Sequence, residues 1–253
     1  MPASAFTQQS ALLRCLHALG DNIQIQPLSH GDDGVGDRST GRIAGDFANE
    51  RLVDFECVDR KASQVAQAGV SGADLIGLKG FGATGINGVL TSAGVPKGSF
   101  YHYFRSKNDF GLAIIDSFAE KYDKKLDRIL NDTSRSCLDR LRAYFDTGQE
   151  TMTSCEFTRG CLIGNLGQEL AGQDEVFRKR LDTVFKGWEK RFERCIEEAR
   201  LAGEVDESID PADVASFLVS GWEGAILRAK VLKSTEPMER FVSVFFRQCL
   251  GAA

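Results

Sequence analysis

At 253 residues, with 42% hydrophobic and 26% charged side chains, the chain is long enough for a small head and a larger second domain with its own core. Its apolar runs are too short to span a bilayer, so no membrane association is expected, and its net charge of −5 argues against nucleic-acid binding over the whole surface. Seven cysteines at irregular spacing (Cys15, Cys57, Cys137, Cys155, Cys161, Cys195 and Cys249), in a chain without a signal-peptide pattern, are expected to be reduced thiols in a cytoplasm. No Cys-x-x-Cys pair or Cys/His spacing suggests zinc, and neither a metal nor a cofactor is expected. The three histidines, His17, His30 and His102, leave the body expected after the head with none, which removes the usual base for a serine or cysteine nucleophile.

Residues 1–59 carry one weak amphipathic segment, through Leu12, Leu16 and Leu19, followed by SHGDDGVGDRSTGRIAGDFANE, rich in Gly and Asp. They are expected to form a disordered extension, or to reflect a start codon assigned too far upstream. A first helix is expected over about residues 63–79. Gly69, Gly72 and Gly77 each cost it about 1 kcal/mol relative to Ala, so packing of Val65, Leu75 and Ile76 must hold it, and a head melting below the body is expected.

The next stretch carries most of the information. Thr84 can cap a helix whose apolar residues Ile86, Val89 and Leu90 fall on one face. Gly94 supplies a left-handed turn, and Pro96 suits the first turn of a second helix. Along that helix Lys97, Ser99, Tyr101 and His102 are polar-tipped, while Phe100, Tyr103 and Phe104 offer apolar anchorage. Ser106 can open a third helix, with Asp109 at capping-box distance and Lys107 placed to reach a phosphate. Residues 60–107 hold six basic side chains against Asp74 alone, a local charge of +5 that leaves −10 for the rest. A basic head on an acidic body suits a regulator whose body stays off DNA.

The run GFGATGINGVLTSAGVPKGSFYHYFRSKNDF resembles the DNA-binding signature of the tetracycline-repressor family of bacterial transcription regulators, and the helical pattern continues in the family's order over about residues 60–251. The resemblance implies an all-α fold: a three-helix helix-turn-helix head over 60–107 and a helical effector-binding and dimerisation domain over 108–253. It also implies contacts to double-stranded DNA from Thr84, Lys97, Gly98, Ser99, Tyr101, His102 and Lys107, at a palindromic operator.

Beyond the head, helices are expected over about 106–131, 135–153, 161–171, 173–202 and 211–233, with a last one from Glu236-Pro237. The small residues Ala215, Ser216, Ser220, Gly221, Gly224 and Ala225, with Phe241, Val242, Phe245 and Phe246, suggest a four-helix homodimer interface.

The segment Thr158-Arg-Gly-Cys-Leu-Ile-Gly-Asn-Leu-Gly-Gln-Glu-Leu170 resembles a subgroup that includes regulators responding to reactive electrophiles, oxidants or small unsaturated acids. In that subgroup the Gly-Cys pair opens the helix over the effector pocket, and a Lys stands in the penultimate helix. Cys161 and Lys230 are at the matching positions. A thiol at a helix N-terminus, two residues from Arg159, is expected to favour thiolate. Asn165, Gln168, Trp188 and Trp222 are further candidates for the effector site, with Glu223 and Arg228 as possible lining. Two other readings stay open: a dimerisation module with a degraded head, and an enzyme using Cys161 as nucleophile.

Overall fold

The computed structural model describes residues 55–251, leaving aside the side chains of 55–66, Ser99 and His102. Among the described residues there are nine α-helices and no strand. They are α1 (Phe55–Lys79), α2 (Ile86–Ala93), α3 (Lys97–Tyr103), α4 (Lys107–Leu130), α5 (Cys137–Ser154), α6 (Leu162–Leu170), α7 (Glu175–Leu201), α8 (Pro211–Leu232) and α9 (Glu236–Val244). Most of the extension expected over 1–59 lies outside the described residues, although Phe55–Asp59 already belong to α1. A division after Ala66 leaves Gln67–Ala253 as one compact unit, which contains everything discussed below.

Ala68, Gly72 and Ile76 form the buried stripe of α1. A Cβ at Gly72 would stand 2.7 Å from Phe110 and 2.8 Å from Ile114, so this glycine marks the close approach of α1 to α4. Its helix-propensity cost is thereby set against packing that no larger residue allows.

The turn between α2 and α3 forms as its glycine requires. Gly94 is left-handed (φ 64°, ψ 27°), and the N–H groups of Gly94 and Val95 return to the carbonyls of Thr91 and Leu90. The cap of α2 is Gly85 rather than Thr84, and Pro96 caps α3 instead of lying in its first turn. Ser106 Oγ accepts from the Asp109 N–H at 3.0 Å, while Asp109 Oδ2 accepts from the Arg105 N–H at 3.1 Å, one residue earlier than a regular capping box would place it.

In the body α4 packs on α5 and α7, α7 on α8, and α8 on α9. Phe145 lies at the centre, with its ring edge-on to Trp222 at 4.8 Å and Phe245 at 5.8 Å. Each such aromatic contributes roughly 2–3 kcal/mol by leaving water. Side-chain caps set the helix starts: Ser136 on the Asp139 N–H, Asp174 on Val176 and Phe177, and Asp210 on Ala212 and Asp213 ahead of Pro211. Val176 faces outward, because the inward stripe of α7 begins at Phe177.

The last helix departs from expectation. It widens into a π-helical turn over Phe245–Cys249, and Phe245 and Phe246 are buried in their own body. Phe241 lies over Gly221, where a Cβ would collide with its ring. The aromatic side of α9 is therefore intramolecular core and not a free dimer face. On α8, Ala215 and Ala225 are buried too, whereas Phe217, Ser220, Gly224, Leu227 and Val231 remain exposed along one stripe.

Candidate DNA-binding head and effector site

Helix α3 is held by an aromatic cluster. Phe100 and Phe104 are buried against Phe110 of α4, with ring centroids 5.3 and 5.0 Å from it. This anchorage turns the other side of α3 outward. Lys97 and Gly98 are exposed there, and Tyr101 is 54% exposed. The side chains of Ser99 and His102 lie outside the described residues. A shallow groove of about 400 Å³ runs beside this surface, lined by Asn87, Thr91, Gly94, Pro96 and Lys97 among others.

Two expected DNA contacts are otherwise engaged. Thr84 is buried, and its Oγ1 donates to the Gly80 carbonyl at 2.6 Å. Lys107 Nζ donates to the Gly82 carbonyl at 3.2 Å and lies 4.5 Å above the Phe81 ring. Both side chains brace the α1–α2 loop instead of reaching outward. The loop is also gripped from the body, since the Glu169 carboxylate accepts from the N–H groups of Phe81 at 2.7 Å and Gly82 at 2.6 Å.

Glu169 is near the C-terminal end of α6, and Cys161 caps the other end. Cys161 has an extended backbone, and its Sγ accepts from the Gly164 N–H at 3.4 Å. On its other side stands the carboxyl of Glu223 of α8: the vacant Cβ position of Gly164 adjoins Glu223 Oε2 and lies 3.6 Å from Cys161 Cβ. A Cβ on Gly164 would occupy the space of the Glu223 carboxylate, so only glycine allows this approach. Tyr122 of α4 and Tyr144 of α5, their hydroxyls 3.1 Å apart, are near enough to interact electrostatically with Cys161 and Glu223. Trp188 packs tilted against Tyr122, with ring centroids 4.7 Å apart, and donates its Nε1–H to Asp123 at 3.1 Å. Trp222 is buried, 6.1 Å from Tyr144.

The electrostatics overturn the expectation of a favoured thiolate. Burial and the neighbouring Glu223 charge push the Cys161 thiol well up, outweighing the Gly164 N–H that favours the anion. Burial likewise raises Glu223 to about 7. Tyr122 and Tyr144 are raised by burial as well, and remain neutral hydroxyls. Arg159 does not assist Cys161, because its guanidinium pairs with Asp74 at 2.7 Å.

Other expected members of the site divide. The Asn165 amide approaches the Gly160 position at 3.7–3.8 Å, beside Ile226. Lys230 follows Ile226 by one turn on α8. Gln168 and Arg228 are exposed. Tyr122 and Tyr144 escaped sequence reading because an aromatic on an apolar stripe reads as core; a hydroxyl on that stripe was the available signal.

The comparisons with known proteins agree with this architecture. The family described as "Bacterial regulatory proteins, tetR family" matches residues 67–114, and "Tetracyclin repressor-like, C-terminal domain" matches residues 137–245. The transcriptional regulator AcuR of Cereibacter sphaeroides is 42% identical over 169 residues, 67% of this chain and 77% of its own. The chain belongs to the tetracycline-repressor family. It is thus a helix-turn-helix transcriptional regulator, and regulators of this family are not enzymes, which removes the reading of Cys161 as a catalytic nucleophile. Another family member, the repressor DhaR of Mycobacterium sp. (strain GP1), is 35% identical over 172 residues, 68% of this chain and 85% of its own. The solved structure of Escherichia coli NemR in its reduced form is 29% identical, with a TM-score of 0.67, covering 74% of this chain and 97% of that one. Regulators of the tetracycline-repressor family bind DNA operators and function as dimers with small-molecule effectors. No helix among the described residues is long and apolar enough to cross a membrane.

Proposed function

We propose that this regulator is a repressor that binds a palindromic operator as a homodimer and is released when a small electrophile or oxidant acts at Cys161. The observation that carries the reading is the position of α6, with Cys161 at its start and the Glu169 grip on the Phe81–Gly82 amides of the head near its end. Eight steps of helix place these ends about 12 Å apart on one rigid element. A group added to the Cys161 sulfur has to displace Glu223 or the start of α6, and either movement is passed to the head through Glu169 and α4. The outward face of α3, with Lys97, Gly98 and Tyr101, supports its entry into a major groove. The exposed stripe Phe217, Ser220, Gly224, Leu227 and Val231 on α8 has coiled-coil spacing and supports that face as the dimer contact. DhaR is a repressor, which supports repression here, and the existence of a distinct reduced form of NemR supports a thiol-dependent state.

Fluorescence anisotropy on DNA flanking its own gene tests the reading, with the protein reduced and after N-ethylmaleimide, alongside Cys161→Ser. Loss of binding in the parent protein with retention in Cys161→Ser is the expected outcome. Equal loss in both places the effector elsewhere, and no binding in any state returns the chain to the class of dimerisation modules.

A further inference from the structure

The pairing of Cys161 with Glu223 has no structural necessity. A thiol capping α6 needs only the Gly164 N–H, and a buried carboxylate destabilises a body otherwise closed by aromatic rings. The carboxyl is nevertheless brought to the sulfur, at the one residue of α6 whose missing Cβ admits it. The titratable groups around it are Cys161 from α6, Tyr122 from α4 and Tyr144 from α5. Of these the thiol shares the vacant side of Gly164 with the Glu223 carboxyl, while the two phenols are hydrogen-bonded to each other.

We propose that Glu223 is the proton acceptor that makes Cys161 a nucleophile, and that the pair selects uncharged α,β-unsaturated carbonyl compounds over their anionic acids. This inference rests on Cys161 being the point of effector attack. The step balances without a further reagent. The S–H proton passes to the Glu223 carboxylate as sulfur bonds to the β-carbon, and the alkene π pair moves onto the carbonyl oxygen. The α-carbon of that enolate then takes a proton back from the Glu223 carboxyl, so thiol has added across the double bond and the carboxylate is restored. The Gly164 N–H, directed at sulfur from the first turn of α6, stabilises the negative charge that develops there. The two carboxyl states explain the selection. An anionic acid arriving beside an ionised, buried Glu223 meets a like charge at low dielectric, whereas an amide, ester or aldehyde does not.

The test is the rate at which N-ethylmaleimide labels Cys161 in the full-length protein between pH 5.5 and 8.5, read by mass spectrometry of the Cys161 peptide. Glu223→Gln and Glu223→Asp are compared, with circular dichroism as the check of folding. The parent rate is expected to rise through neutrality, and Glu223→Gln to lose that inflection and fall on the order of a hundredfold at pH 7.5. Glu223→Asp keeps the carboxylate and an inflection at a reduced rate, and it carries the comparison if Glu223→Gln does not fold. Acrylamide and acrylate, each normalised to its rate with free cysteine, report the selection: the ratio favours acrylamide in the parent and returns to the free-thiol value in Glu223→Gln. Equal or faster labelling of Glu223→Gln overturns the inference, as does a parent ratio equal to that of free cysteine. Anisotropy on the same labelled samples separates the two readings. Labelling that depends on Glu223 but leaves DNA bound sinks the proposed release alone; release with labelling indifferent to Glu223 sinks this inference alone.

Discussion

The Glu223 carboxyl of α8 meets the Cys161 side chain of α6 across the vacant side of Gly164, two titratable groups whose burial holds both toward their protonated forms. The consequence for the thiol is opposite to what its place at a helix N-terminus implies, because burial and a neighbouring carboxylate outweigh a single backbone donor.

Stability should therefore depend on pH through Glu223. Its folded value of about 7 lies above the ordinary 4.5, so between those values the folded protein binds more protons than the unfolded chain. The stability present below pH 4.5 is lost as pH rises through 7, by up to about 3 kcal/mol, and the curve is then flat with respect to this group. Urea denaturation at pH 5 and pH 8 checks this, and Glu223→Gln should remove most of the difference.

Replacement of Glu169 by Ala takes away the acceptor of the Phe81 and Gly82 N–H groups. A loss of about 1–3 kcal/mol is expected, as for other charge-assisted hydrogen bonds. If α6 carries the signal, the variant should also keep DNA bound after N-ethylmaleimide treatment; melting curves and anisotropy read the two effects. Normal release in a destabilised variant would assign the signal to α4.

Lys97 and Lys107 should respond differently to the same substitution. Lys97→Ala is expected to weaken DNA binding across all sequences and to lower the salt slope by about 1, as for one lost phosphate contact. Lys107→Ala removes the brace on Gly82 and Phe81 and should lower the melting temperature first. Salt titration of DNA binding beside thermal melting distinguishes them.

The exposed stripe on α8 predicts the dimer. Val231 is 66% exposed and Leu227 is 42% exposed, values out of keeping with apolar residues on a free surface helix. Val231→Asp should weaken the dimer by about 2 kcal/mol or more, visible as monomer by light scattering at micromolar concentration. Phe245→Ala should instead unfold the body, since that ring lies wholly inside one chain.

Residues read in order determined the helices, most of their caps and the family of this protein. Gly94, Ser106 with Asp109, and Asp210-Pro211 act within a few residues of themselves, so their effect on the backbone is present in the local string. The outward placement of Lys97, Gly98 and Tyr101 on α3 was legible for the same reason, as was the position of Cys161 at the start of α6. The tertiary structure decided what each side chain faces. Thr84 and Lys107 turn into a loop brace, Phe245 and Phe246 into core, Arg159 toward Asp74, Tyr122 toward Tyr144, and Glu223 toward the side of Gly164 that it shares with Cys161. Apart from Thr84, which bonds back four residues to Gly80, these partners come from segments far apart in the chain. Helical periodicity states only that a residue faces inward; which partner it meets, and so whether a thiol is charged or neutral, depends on how the helices cross.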